Sequence, residues 1–93
     1  MSLVDLGEKK WLVSGLVLVE ELEKKLDASL SGDDYETVAG LIFTSLGRVP
    51  ATGSIVKKNG FCFEVERADR RRIYRVKVSP DLNYDADAEQ EES

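Results

Sequence analysis

The chain has 93 residues, 42% hydrophobic and 33% charged, a balance that excludes a disordered or fibrous polymer and leaves room for one small globular domain. It has no histidine and one cysteine, Cys62. An intramolecular disulfide and any histidine-based catalytic pair are therefore excluded, and a free thiol fits a reducing compartment. The longest uninterrupted apolar run is residues 16–19, far short of the roughly 20 residues that a membrane-spanning helix needs, and the N-terminus lacks the basic-then-apolar order of a signal peptide.

Charge divides the chain. It carries 13 basic and 18 acidic residues, a net charge of −5. Asp81, Asp85, Asp87, Glu89, Glu91 and Glu92 fall within residues 80–93, which hold no basic residue; the remainder has 12 acidic against 13 basic residues. The expected organisation is a near-neutral domain over residues 4–79 and an acidic, disordered tail over residues 80–93, where self-repelling charge meets few apolar groups.

In chain order, Met1, Ser2 and Leu3 are assigned to no element. Residues 9–14 read as a strand, with Trp11 and Val13 on one face and Lys10 and Leu12 on the other. Gly15 breaks it, and residues 16–18 suit a second short extended piece. Residues 19–26 read as a helix, with Val19, Leu22 and Leu26 on one side. Glu20 with Lys24 and Glu21 with Lys25 support it as acidic-before-basic pairs. A second helix starts near residues 34–37, where Asp34 and Thr37 are both competent caps. Val38, Leu41, Ile42 and Leu46 form its buried stripe, Gly47 ends it and Pro50 forbids continuation. Gly40 lies inside this helix at a cost of roughly 1 kcal/mol relative to alanine, which predicts close approach of another backbone. Residues 54–58, 61–66 and 73–78 then read as strands. Asn59-Gly60 supplies a hairpin turn, residues 67–71 a second turn, and Pro80 the end. Alternation places Phe61, Phe63 and Val65 on one face, and Tyr74, Val76 and Val78 likewise. The predicted fold class is α+β, in the order β-α-α-β-β-β, with both helices on one face of a mostly antiparallel sheet.

Catalytic groups are scarce. Cys62, between two phenylalanines, reads as an apolar filler rather than a nucleophile, and one cysteine cannot assemble a zinc site. Asp33 and Asp34 suit the positive end of a helix dipole. Glu64 and Glu66 share a strand face and could flank a substrate or cation; a solvated face cross-paired with Arg75 or Lys77 is the favoured reading. The scattered glycines form no phosphate loop. No catalytic residue, metal ligand or cofactor is assigned.

Arg67, Arg70, Arg71, Arg72, Arg75 and Lys77 crowd around one turn, with Lys57 and Lys58 beside the neighbouring one. Arginine forks suit phosphates and carboxylates. Arg67, Arg70, Arg71, Arg72 and Arg75 are therefore the candidate ligand- or partner-binding residues, for a nucleotide, an anionic lipid surface, a partner domain or the acidic tail. An ordinary solvated hairpin is the competing reading. Nucleic acid is disfavoured, because the folded body is near neutral and Tyr74, the sole nearby aromatic, is expected to face the core.

Several stretches, in order, resemble the CorC/HlyC transporter-associated domain. Trp11-Leu12-Val13-Ser14-Gly15 is similar to its opening strand, and residues 18–22 to its first helix. Residues 34–42 resemble its tyrosine–x–threonine–x–x–glycine signature through Tyr35, Thr37 and Gly40. Leu46, Gly47, Pro50 and Gly53 match its leucine-glycine–x–x–proline–x–x–glycine segment, and residues 61–65 and 72–78 its closing hairpin. The resemblance spans residues 9–78. It implies a cytosolic C-terminal domain of a membrane protein with a pair of CBS domains, linked to magnesium and cobalt efflux or hemolysin-like. Such domains also end some sodium/proton antiporters. The implied fold is like part of a FAD-binding domain, without the cofactor. The implied partners are the parent's CBS pair and membrane domain; a homo-oligomer is a further expectation, and membrane insertion of the isolated domain is not expected. Three functions compete: a non-catalytic regulatory module, a self-association module, and a nucleotide or flavin site at the arginine turn.

Overall fold

The computed structural model describes residues 3–82. The elements run β1 (Leu3–Gly7), β2 (Lys10–Ser14), α1 (Val19–Leu26), α2 (Val38–Leu46), β3 (Ile55–Lys58), β4 (Phe61–Ala68) and β5 (Ile73–Pro80). The strands form one open five-stranded sheet in the order β1-β2-β5-β4-β3, antiparallel throughout. Two helices on such a sheet make an α+β fold. Beyond Leu82 the predicted tail lies outside the described residues.

The sheet has one strand more than the sequence pattern suggests. β1 pairs with β2 from Leu3↔Val13 to Gly7↔Lys10. The turn between them uses Glu8 at φ 53° and Lys9 at φ 64°, a conformation that side-chain-bearing residues seldom adopt and that usually announces itself as Asn-Gly. The other short hairpin has that signal, with Asn59 at φ 48° and Gly60 at φ 90°. Asn59 Nδ2 also donates to the Ser29 carbonyl, tying this turn to the segment after α1.

Alternation assigns the sheet faces. Val13, Val76 and Val65 are aligned across β2, β5 and β4, as are Val78 and Phe63. All five are buried, with Leu22, Leu41, Ile42 and Val38 of the helices. This is the core, and Leu3, Trp11 and Phe61 pack at its margin. The opposite face carries the row Val4, Leu12, Lys77, Glu64 and Ile55. Glu64 stands directly across from Lys77, as the charge pattern predicts.

The helix starts are joined to each other. Residues 16–18 form a turn and an isolated bridge, Leu18↔Thr37, rather than a strand. Leu18 offers α1 no side-chain cap. Instead the Val19 N–H donates to the Glu36 carbonyl at 2.8 Å, the Val38 N–H to Val17 at 2.9 Å and the Ala39 N–H to Gly15 at 3.0 Å. Donors that a helix start leaves without partners are thus satisfied by the neighbouring crossover. Thr37 caps α2, its Oγ1 accepting from the Gly40 N–H at 3.1 Å. Asp33 and Asp34 lie in the Gly32–Tyr35 turn outside the first turn of α2, so neither caps that helix. Gly47 ends α2 at φ 68°, donating to the Phe43 carbonyl.

Two glycines have spatial causes. At Gly40 an added Cβ would meet the Tyr35 Cβ at 3.0 Å and the Thr37 Oγ1 at 3.3 Å. The crowding comes from the helix's own preceding turn, not from a second backbone as expected. The close backbone approach belongs to Gly15, where a Cβ would fall on the Ile73 carbonyl oxygen and 3.1 Å from its carbon.

Candidate functional site

The arginine cluster is built on the β4–β5 connection. Asp69 opens the turn and organises it. Its Oδ1 accepts from the Arg71 N–H at 2.7 Å and the Arg72 N–H at 3.0 Å, while the Asp69 N–H donates to the Arg72 carbonyl at 3.0 Å. A carboxylate turning back on its own following amides is a local device that short acidic residues provide. Asp69 Oδ2 accepts from the Tyr74 hydroxyl at 2.6 Å. These bonds, Tyr74 first, hold the Asp69 carboxyl below its ordinary range, and the same contact pushes the Tyr74 phenol up.

Tyr74 does not face the core. It is 40% exposed, while Ile73 is buried. The register explains the reversal. Pairing runs Val65↔Val76, then Arg67↔Arg75, then Ala68↔Ile73. Glu66 is thus an extra residue on β4 and Tyr74 an extra residue on β5, and such bulges re-aim side chains. The guanidinium of Arg67 lies 5.5 Å from the Tyr74 ring centroid and that of Arg72 lies 5.6 Å away, within cation–π range. An aromatic platform therefore does stand among the arginines, contrary to the sequence expectation.

The five candidate residues are brought to one end of the sheet but not into one pocket. Arg67 and Arg72 gather on Tyr74, Arg70 and Arg71 are exposed within the turn, and Arg75 pairs in register with Arg67 and Ser14. Like charges directly opposite each other on neighbouring strands are unfavourable. Asp69 and Leu16 also belong to this end and were missed. The Gly15 N–H donates to the Tyr74 carbonyl at 3.3 Å, and the next residue, Leu16, is 68% exposed. The signal for the bulge was present in the spacing: Ile73, Val76 and Val78 cannot share a face of an unbroken strand.

A separate cleft of about 330 Å³ lies between the start of α1 and the loop before α2, lined by Leu18, Val19, Glu20, Ser31, Gly32, Tyr35 and Glu36. It presents carboxylates and no basic side chain, the wrong polarity for a nucleotide phosphate. The nearby loop is fixed by Glu23, which accepts from the Leu30 N–H at 2.6 Å, the Ser31 N–H at 2.9 Å and the Ser31 hydroxyl at 2.6 Å. The Ser31 hydroxyl bond foremost, these hold its pKa below the ordinary value. Cys62 is partly buried on the sheet face away from the helices, and burial pushes its thiol up, which disfavours the reactive thiolate. Among the described residues no group of three or more His, Cys, Asp or Glu side chains is placed to hold a metal ion, and no helix is long and apolar enough to cross a membrane.

Known proteins resemble this chain in sequence and in fold. The CorC_HlyC transporter associated domain profile matches residues 4–81. The magnesium and cobalt efflux protein CorC of Vibrio cholerae serotype O1 is 33% identical over 78 residues, covering 83% of this chain and 27% of that protein. The chain thus spans about a quarter of that relative's length. The transporter associated domain CorC_HlyC from Nitrosomonas europaea superposes with a TM-score of 0.79 at 22% identity, covering 87% of this chain and 98% of that one. The same domain from a Xylella fastidiosa Temecula1 hemolysin, solved in complex with Mg++ and Mn++, gives a TM-score of 0.76 at 26% identity, covering 86% and 98% of the two chains. With nearly all of the folded body matched, the chain belongs to the CorC/HlyC transporter-associated domain family.

Proposed function

We propose that this domain is the non-catalytic, cytosolic regulatory and interaction module of a membrane ion transporter of the magnesium and cobalt efflux or hemolysin-like class, working beside a CBS pair and a membrane domain. The observation that carries the reading is the profile match over residues 4–81, joined to a relative named for efflux whose length is about four times the matched part. The arginine hairpin is its contact surface for an anionic partner, because the turn is held by Asp69 while Arg70 and Arg71 remain exposed. Deleting the domain from the full-length protein and measuring magnesium and cobalt efflux tests the idea. Transport that persists with altered dependence on ion concentration is expected; unchanged transport and unchanged regulation would sink it.

A second reading, self-association, is favoured by the sheet's edges. β1 is an outer strand whose Val4 and Leu6 are each 48% exposed, and β3 at the other edge exposes Ile55 at 55%. Unpaired edges can add a strand from a second copy. Sedimentation equilibrium at high concentration distinguishes the readings, since a strict monomer removes this one.

A further inference from the structure

We infer that the end of the sheet formed by the β4–β5 turn and the Gly15-Leu16 turn docks on an anionic lipid bilayer. The inference rests on the reading of the arginine hairpin as a contact surface and names its partner. Three observations converge. Arg67, Arg70, Arg71, Arg72 and Arg75 are all exposed at this end. Its own carboxylate, Asp69, is committed to the Arg71 and Arg72 amides and the Tyr74 hydroxyl. Beside it stand an exposed tyrosine and, one residue past the Gly15–Tyr74 bond, Leu16 at 68% exposure.

Each component matches a layer of a membrane surface. Arginine forks bind phosphate oxygens, and basic residues near an anionic leaflet are each attracted by its surface potential. Tyrosine favours the headgroup level, where one side of the ring is apolar and the hydroxyl is wet. A leucine held out in water gains by entering the acyl boundary. An acidic polypeptide would use the arginines but give Leu16 nothing to bury against. The remaining carboxylates of the hairpin strands are Glu66, the extra residue of the β4 bulge, and Glu64, which stands across from Lys77. Glu20 and Glu36 line the cleft on the helix side, while Arg75 aligns with Ser14 on the face away from the helices. On α1, Glu20, Glu21 and Glu23 outnumber Lys24 and Lys25, and α2 carries no charged residue, so attraction to an anionic surface falls to the hairpin rather than to the helices.

The test is co-sedimentation of the 93-residue chain with phosphatidylglycerol-containing vesicles and with pure phosphatidylcholine vesicles, at low and high salt. Binding to the anionic vesicles alone, lost at high salt, is expected. Arg70→Ala/Arg71→Ala should weaken it roughly thirtyfold, and Leu16→Ser several-fold with the salt dependence kept. All three side chains are exposed, and near-ultraviolet circular dichroism verifies that the variants fold. No binding to anionic vesicles overturns the inference, as does equal binding by the arginine variant. Chemical shift changes in the hairpin with polyglutamate, without vesicle binding, overturn it in favour of an acidic polypeptide. A domain deletion that alters transport while the vesicles fail to bind leaves the functional reading standing and removes only this one.

Discussion

Gly15 shows how a single missing methyl group sets a fold. The backbone of β5 passes so close that any Cβ would overlap the Ile73 carbonyl oxygen, with the Ala39 Cβ 3.3 Å away on the other side. Neither neighbour is the free end of a flexible side chain. Gly15→Ala should therefore destabilise the domain by about 3 kcal/mol, at the upper end of ordinary overpacking, read as a lowered urea midpoint. Glu23 makes a different residue-scale argument. Its carboxylate holds the loop after α1 through Leu30 and Ser31, so its pKa is lower in the folded chain than the ordinary 4.5. A carboxyl depressed by folding stabilises above its unfolded pKa, and that contribution is lost as pH falls through the folded value. Thermal melts of the wild type should drop further than those of Glu23→Gln between neutral pH and the acid side of that window. Parallel losses would show that the three bonds carry no stability. Neither role can be read from the sequence alone, where Gly15 is one turn glycine among several and Glu23 one more charge on a helix.

At the scale of elements, periodicity revealed most of the structure and irregularity hid the rest. Both helices, the Thr37 and Gly47 caps and the Asn59-Gly60 hairpin were legible, because capping and turn chemistry are written in residue types. β1 was not, because its turn is made by Glu8 and Lys9, residues with no preference for positive φ. The face of Tyr74 was misread because strict alternation assumes an unbroken ladder, and the two extra residues at Glu66 and Tyr74 reset it. The arginines were legible as a cluster, but what they surround was not. The bulge has a spectroscopic consequence. Tyr74 donates to Asp69, and ionising the phenol would break that bond and set two negative charges side by side, so its pKa lies above the ordinary 10.0. The stabilisation from this bond is present below the unfolded pKa and is lost as pH rises through the folded one. In an ultraviolet absorbance titration the Tyr74 step should come above the ordinary value. Tyr74→Phe should abolish that step, and Asp69→Asn should move it down. An unchanged late step in Asp69→Asn would mean that the ring is not held as described.

For the whole molecule, charge is the property that composition conceals. The chain is acidic at −5, yet 13 basic residues nearly balance the acidic ones up to residue 79, and the fold gathers five of the basic ones at one end of the sheet. The remaining acidity follows β5, which starts beside the arginine turn at Ile73 and ends at Pro80. A net negative chain is repelled by an anionic bilayer as a whole even while one end is attracted, since the two terms act over different distances and salt screens both. The segment beyond Leu82 holds Asp85, Asp87, Glu89, Glu91 and Glu92, so a chain truncated after Leu82 has a net charge of zero. Truncation keeps every residue of the arginine hairpin and removes the opposing charge. The shortened chain should therefore bind phosphatidylglycerol vesicles more tightly than the full chain at low salt, and the difference should shrink as salt is raised. If the two chains bind alike at every salt concentration, the acidic segment neither repels the bilayer nor competes for the arginines, and attraction at the hairpin acts independently of the chain's net charge.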